Sequence, residues 1–271
     1  RMARASSDVD PLEMLRAWIY LEGILPLFED LVAFDEEAAA AIAGQTAIVQ
    51  FEVRRGPVAH LDIGDGAIRY GSGSHAKSDV RLRFKTPERL NLMFGGEKVR
   101  PGLRKGFRHL PFLLRRFPTL ADRLSYYLEG DGAHGPAGDA ETLRFLVGLR
   151  LRAMLGGAAA VANHDPWLAD VADHLPQVTL QMRVLPDGPV GTLAKVAGNG
   201  GHDFVAGYEV AAANPNAVLE FKSIDAAWRV VNGESGFEQS VGLGEARLLG
   251  HVALADHMNI FIQRLVGVMG L

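Results

Sequence analysis

The chain has 271 residues, 48% of them apolar and 22% charged, with a net charge of −4 and no cysteine. A chain of that length and balance can bury one large core or two ordinary ones, so it is neither disordered nor fibrous. Without cysteine there is no disulfide, thiolate metal site or cysteine nucleophile, and a mildly acidic chain offers no global field for nucleic acid.

The opening residues, RMARASSDVDPLEML, lack the apolar run of a signal peptide, which makes a cytoplasmic protein the expectation. The stretch MLRAWIYLEGILPLFEDLVAF carries Arg16, Glu22, Glu29 and Asp30, four charges that a membrane span would tolerate poorly. It reads as part of a helical region over about residues 11–43, bent near Pro26. In AIVQFEV, Val49, Phe51 and Val53 alternate with Ile48, Gln50 and Glu52, the pattern of a strand with one buried face. VAHLDIGDG and AIRYGSGS read as a hairpin turning at Asp65-Gly66. VRLRFK puts Leu82 and Phe84 on one face and Arg81, Arg83 and Lys85 on the other. Thr86 is placed to cap a short helix that starts at Pro87, has Glu88 in its first turn, and stops at Gly95-Gly96. Lys98 to Arg116 holds seven Lys or Arg and no acid, broken by Pro101 and Pro111, with Pro118 just beyond. Residues 130–139, GDGAHGPAGD, have the composition of a linker. The expected division is residues 1–135 and 136–271.

The second half repeats this order. A helical region over 140–174 precedes the strand VTLQMRV, then TLAKVAG and HDFVAGYEV joined by a turn at Asn199 to Gly201, then AVLEFK. Pairing Asp79 with Asn216 aligns Leu82, Phe84, Lys85, Gly96 and Glu97 with Leu219, Phe221, Lys222, Gly233 and Glu234, while Thr86 meets Ser223. The flanks echo it, with Gly-Pro-Val at 56–58 and 188–190 and Leu-Arg at 15–16 and 143–144. Ser223 and Asp225 suit a helix start and Asn232-Gly233 a helix stop. The repeated phrase is therefore folding punctuation: strand end, cap, apolar face, stop. Beyond it the halves read as diverging. The second runs into a strand, EARLLGHVAL, and a helix, DHMNIFIQRLVGVMGL, where the first has the basic, proline-broken stretch.

Catalytic and metal signatures are missing. None of the nine histidines falls in an HxH or HExxH spacing. GDGAIRYGSGS lacks the Lys-Ser/Thr of a phosphate loop, and Ser72, Ser74 and His75 have no acid placed to orient them. No cofactor, no metal and no catalytic activity are expected. The basic stretch interleaves Arg100, Arg104, Lys105, Arg108, Arg115 and Arg116 with Leu103, Phe107, Phe112 and Leu114. Such a segment suits an anionic membrane, the phosphate of an acyl-CoA or phospholipid, or simply a solvated face.

The order of helix, antiparallel strands, Phe-Lys-Ser into a short helix ending in Gly-Glu, then ARLLGHVAL and an apolar helix resembles the sterol carrier protein 2 family. The second half matches best and the first resembles a degenerate copy. The resemblance implies an α+β fold of two tandem lobes, each a small, mainly antiparallel sheet covered by helices around an apolar cavity. It implies non-catalytic binding or transfer of a lipid: a fatty acid, acyl-CoA, sterol or isoprenoid. An accessory protein that presents lipid to an enzyme partner is the alternative. Phe84, Leu90, Met93, Phe94 and Phe112 in the first half would then line a ligand site. Phe221, Trp228, Val231, Met258, Phe261 and Ile262 would do so in the second.

Overall fold

The computed structural model describes residues 9–129, 139–198 and 201–270. The expected linker, apart from Asp139, and the turn at Asn199 and Gly200 lie outside the described residues.

The first lobe begins with α1 (Pro11–Ile19), capped by Asp10, whose carboxylate accepts the Leu12 amide. A π turn (Tyr20–Ile24) leads to Pro26 and α2 (Leu27–Phe34), and Asp35 then caps α3 (Glu36–Ile42). The strands are β1 (Ala47–Val53), β2 (Val58–Gly64), β3 (Ala67–Ser72) and β4 (Val80–Phe84), followed by α4 (Pro87–Phe94) and β5 (Gly102–Lys105). A 3-10 turn (Phe107–His109) leads into α5 (Leu110–Arg115) and α6 (Phe117–Leu128). The second lobe runs α7 (Ala140–His164), α8 (Ala169–His174), β6 (Val178–Val184), β7 (Val190–Gly198), β8 (Gly201–Tyr208) and β9 (Ala217–Phe221). It closes with α9 (Ile224–Val231), α10 (Phe237–Gly242), β10 (Ala246–Gly250) and α11 (Val252–Met269).

Two five-stranded sheets result, ordered β3-β2-β1-β4-β5 and β8-β7-β6-β9-β10. All pairings are antiparallel except the central β1–β4 and β6–β9 pairs. The repeat extends to individual polar contacts. Asp79 accepts the Ile48 amide at 3.0 Å, and Asn216 accepts the Thr179 amide at 2.8 Å. Buried Gln50 accepts the His75 amide, and buried Gln181 accepts the Ala212 amide. Glu52 pairs with Arg83 in one lobe, and in the other the charges are exchanged, with Arg183 on Glu220. The α+β architecture of two tandem lobes is thus present, and Asp65 and Gly66 take the positive φ values the hairpin turn requires.

Three expectations need correction. The halves do not diverge after the repeated phrase. The basic stretch supplies β5, antiparallel to β4, and then α5–α6, while β10, antiparallel to β9, is followed by α11. The two are counterparts, and α10 is the added element. The strand expected over EARLLGHVAL stops at Gly250 and the helix starts at Val252. Gly250 has φ 85°, and a Cβ there would lie 2.3 Å from the Asn216 carbonyl oxygen, so the chain must turn. Finally, Thr86 holds the cap position without a side-chain bond, whereas Ser223 accepts the Ala226 amide at 3.2 Å.

α7 packs on β7 and β8 of its own lobe and on α1, the π turn and α2 of the other. Its 25 residues are apolar and long enough to cross a membrane, yet 67% of the most apolar window is buried inside the protein. Gly23 crosses Gly156 and Gly157 so closely that a Cβ on Gly23 would sit 2.8 Å from the Gly157 nitrogen. Phe34 stacks on Phe145 at 3.9 Å.

Candidate functional site

The apolar residues singled out in the sequence all lie in, or pack against, one continuous hydrophobic core that runs through both lobes. In the first lobe Phe84, Leu90 and Phe112 are buried, and Met93 and Phe94 are half-buried. Phe94 stacks on Tyr20 at 5.0 Å and reaches Phe51 at 6.3 Å. Phe51 meets Phe117 at 5.9 Å, and Phe117 meets Phe112 at 6.2 Å. Phe94 and Phe112 therefore belong to one aromatic run beneath α5 and α6. In the second lobe Phe221, Trp228, Met258, Phe261 and Ile262 are buried and Val231 is half-buried. Arg150 lies over the Trp228 ring at 5.1 Å, and Phe261 meets Phe204 edge-on at 5.1 Å. α9 and α11 each pack against α7 and β9.

An opening of about 410 Å³ lies between α8 and the first turns of α11. Val171, Leu175, Pro176 and Leu254 give it apolar walls, and Asp170, His174 and His257 give it polar ones. Leu254 sits one turn before Met258 on α11, whereas Met258, Phe261 and Ile262 are buried in the core and do not line the groove. His174 Nδ1 donates to the Asp170 carbonyl at 2.7 Å and His257 Nδ1 to the Ala253 carbonyl at 2.6 Å. Each ring is thereby held with Nε2 as its remaining polar atom. α8 is fastened from below by Lys195, whose buried ammonium donates to the carbonyls of Ala172 (2.6 Å), Asp173 (3.0 Å) and Leu175 (2.5 Å). Burial depresses the pKa of that ammonium, and Asp173 opposes the shift. Just before α8, Trp167 is 77% exposed, with the Arg264 guanidinium 5.0 Å over its ring and Arg264 bonded to buried Asp165 at 2.7 Å.

A second polar cluster lies between the lobes. Arg152 bonds Asp30 at 2.7 Å and also Glu29. His164 stacks on Trp18 at 3.6 Å and meets Glu22 at 3.1 Å. The Tyr70 amide donates to Glu29, and the Tyr208 hydroxyl donates to the Arg152 carbonyl. Burial raises both phenols well above their ordinary range, so they remain protonated. Burial also raises Asp30, against the pull of Arg152. These charges are spent on one another across the lobe boundary, which makes the cluster a lock between α2, β3, α7 and β8.

Arg100, Arg104, Lys105, Arg108, Arg115 and Arg116 are all exposed. Among the described residues, no group of three or more His, Cys, Asp or Glu is arranged to hold a metal ion. The groove residues Asp170, Val171, His174, Leu175, Pro176 and Leu254 were not singled out in the sequence. The Leu254–Met258 spacing was visible there, but nothing local places α8 beside α11.

Searches of family models and of curated proteins return no match to this chain.

Proposed function

We propose that the protein binds a lipid non-catalytically, with the acyl, prenyl or polycyclic part held in the second lobe along α11 and the mouth at the α8–α11 groove. The observation that carries this reading is the groove of about 410 Å³ with apolar walls from Val171, Leu175, Pro176 and Leu254. Its walls would remove an apolar chain from water at roughly 0.8 kcal/mol per methylene, and His174 and His257 in its lining offer Nε2 to a polar head. The resemblance to the sterol carrier protein 2 family points the same way. The test is native mass spectrometry with solvent extraction of the purified protein, together with displacement of a fluorescent fatty acid. A bound apolar ligand, lost in Leu254→Arg with the fold intact by circular dichroism, is the expected result. Absence of both ligand and displacement in the parent protein overturns the reading.

A second reading is that of an accessory protein that presents lipid to an enzyme. It is favoured by exposed apolar side chains on the added helix α10 and its neighbours: Leu243 at 65%, Val252 at 57%, and Val241 and Leu249 close to 40%. If it holds, Leu243→Asp removes capture of a stable enzyme partner and leaves fatty-acid displacement unchanged.

A further inference from the structure

We propose that β5 and α5 of the first lobe form a docking surface for an anionic phospholipid bilayer. This goes beyond the lipid-binding reading and stands without it.

The two lobes supply an internal comparison. β5–α5–α6 and β10–α11 occupy the same place in the topology, so cations required by the fold would be present in both. They are not. From Ala246 to Met269 the second lobe has two Arg or Lys, Arg247 and Arg264, and each is paired with a buried carboxylate, Glu220 and Asp165 respectively. The first lobe has seven between Lys98 and Arg116 and no acid; Glu97 and Asp122 bound the run. Few of these charges are used internally. Arg108, 78% exposed at its side chain, meets Asp79 at 3.1 Å. Lys105 and Arg116 donate to the Ser78 and Ala43 carbonyls, which leaves their charge uncompensated. Arg104 and Arg115 have no side-chain partner among the described residues. β5 is the edge strand, and its Lys105 lies beside Arg81 of β4, so the basic face continues onto the sheet.

The apolar component of the surface is what selects a bilayer. Phe112, 4% exposed and packed on Phe117, pins α5 to the core. This leaves Leu114 70% exposed beside Arg115 and Arg116, with Pro111 exposed on the same short helix. A leucine followed by two arginines gains by dipping into the acyl boundary while the guanidinium groups stay at the phosphates. On a nucleic-acid backbone the same leucine gains nothing.

The test is co-sedimentation of the full chain with phosphatidylcholine vesicles, with and without phosphatidylglycerol. Binding is expected only with phosphatidylglycerol, weakening as salt rises. Each Lys or Arg at such a surface is worth about fivefold in partitioning, so Arg115→Gln with Arg116→Gln is expected to weaken it about 25-fold. Leu114→Ser weakens it at high salt as well as low, and Arg69→Gln, on the opposite edge strand, leaves it unchanged. Failure of the parent protein to sediment at low salt, or equal binding by the Arg115/Arg116 variant, overturns the proposal. So does duplex DNA that binds the surface more tightly than the vesicles. Fatty-acid displacement reads the groove independently, so either proposal can fail alone.

Discussion

Asp35 and Asp30 lie five positions apart, yet folding acts on them in opposite directions. Asp35 is buried between α2 and α3 and accepts from the Ala38 amide (2.7 Å), Arg123 Nε (3.0 Å) and the Tyr127 hydroxyl (2.8 Å). Burial alone would raise its pKa, but the bonds from Arg123, Ala38 and Tyr127 outweigh it and hold the carboxyl below its usual range. Its stabilisation is therefore complete above the unfolded value of about 3.9 and is lost as pH falls from there through the depressed folded value. Glu220, gripped by Arg183 and Arg247 against the cost of burial, behaves the same way in the other lobe. Asp30 is raised by burial, so its ionised form is disfavoured by folding. Asp35→Asn is expected to cost about 2 kcal/mol at pH 7 and to flatten the loss of stability below about pH 4. Asp30→Asn should cost less at pH 7. Urea unfolding of the two variants at pH 7 and pH 3 measures both expectations.

The crossing of α7 with the π turn depends on glycine at close quarters. Any side chain at Gly23 meets the backbone of Gly157, which cannot yield as a flexible side chain would. Gly23→Ala should therefore destabilise by about 1–3 kcal/mol, as overpacking does. Gly267, in the last turn of α11 with open space around it, gives the opposite expectation. Gly267→Ala should stabilise by about 0.5–1 kcal/mol, because alanine has the better helix propensity. Thermal unfolding of the pair compares a packing glycine with a dispensable one. Among the elements, the capped helices α4 and α9 and the hairpin turn were readable because caps, stops and positive-φ turns are local. The kinship of β5–α5–α6 with β10–α11 was hidden. Prolines and cations had replaced the apolar periodicity by which it would have been recognised, while the hydrogen-bonded ladder to β4 persisted.

The lobes share one interior. α7 is buried against both, Arg152 joins α7 to α2, and Arg16 of α1 donates to the Val268 carbonyl of α11 at 3.1 Å. Far-UV circular dichroism and tryptophan fluorescence, from Trp18 at the lobe boundary and Trp167 and Trp228 in the second lobe, are expected to report one coincident unfolding transition. Two separated transitions would show that the lobes fold independently.

The chain by itself dictated a duplicated α+β fold, because the repeated strand, cap and stop are short-range instructions written into neighbouring residues. It also marked the basic stretch, since charge density needs no contacts to be seen. It could not reveal that α7, apolar enough for a bilayer, spends that surface between two lobes, or that Leu254 and His257 face Val171 and His174 across a groove. Those are relations between segments tens of residues apart. Packing and hydrogen bonding of the assembled sheets and helices fix them, and no local pattern encodes them.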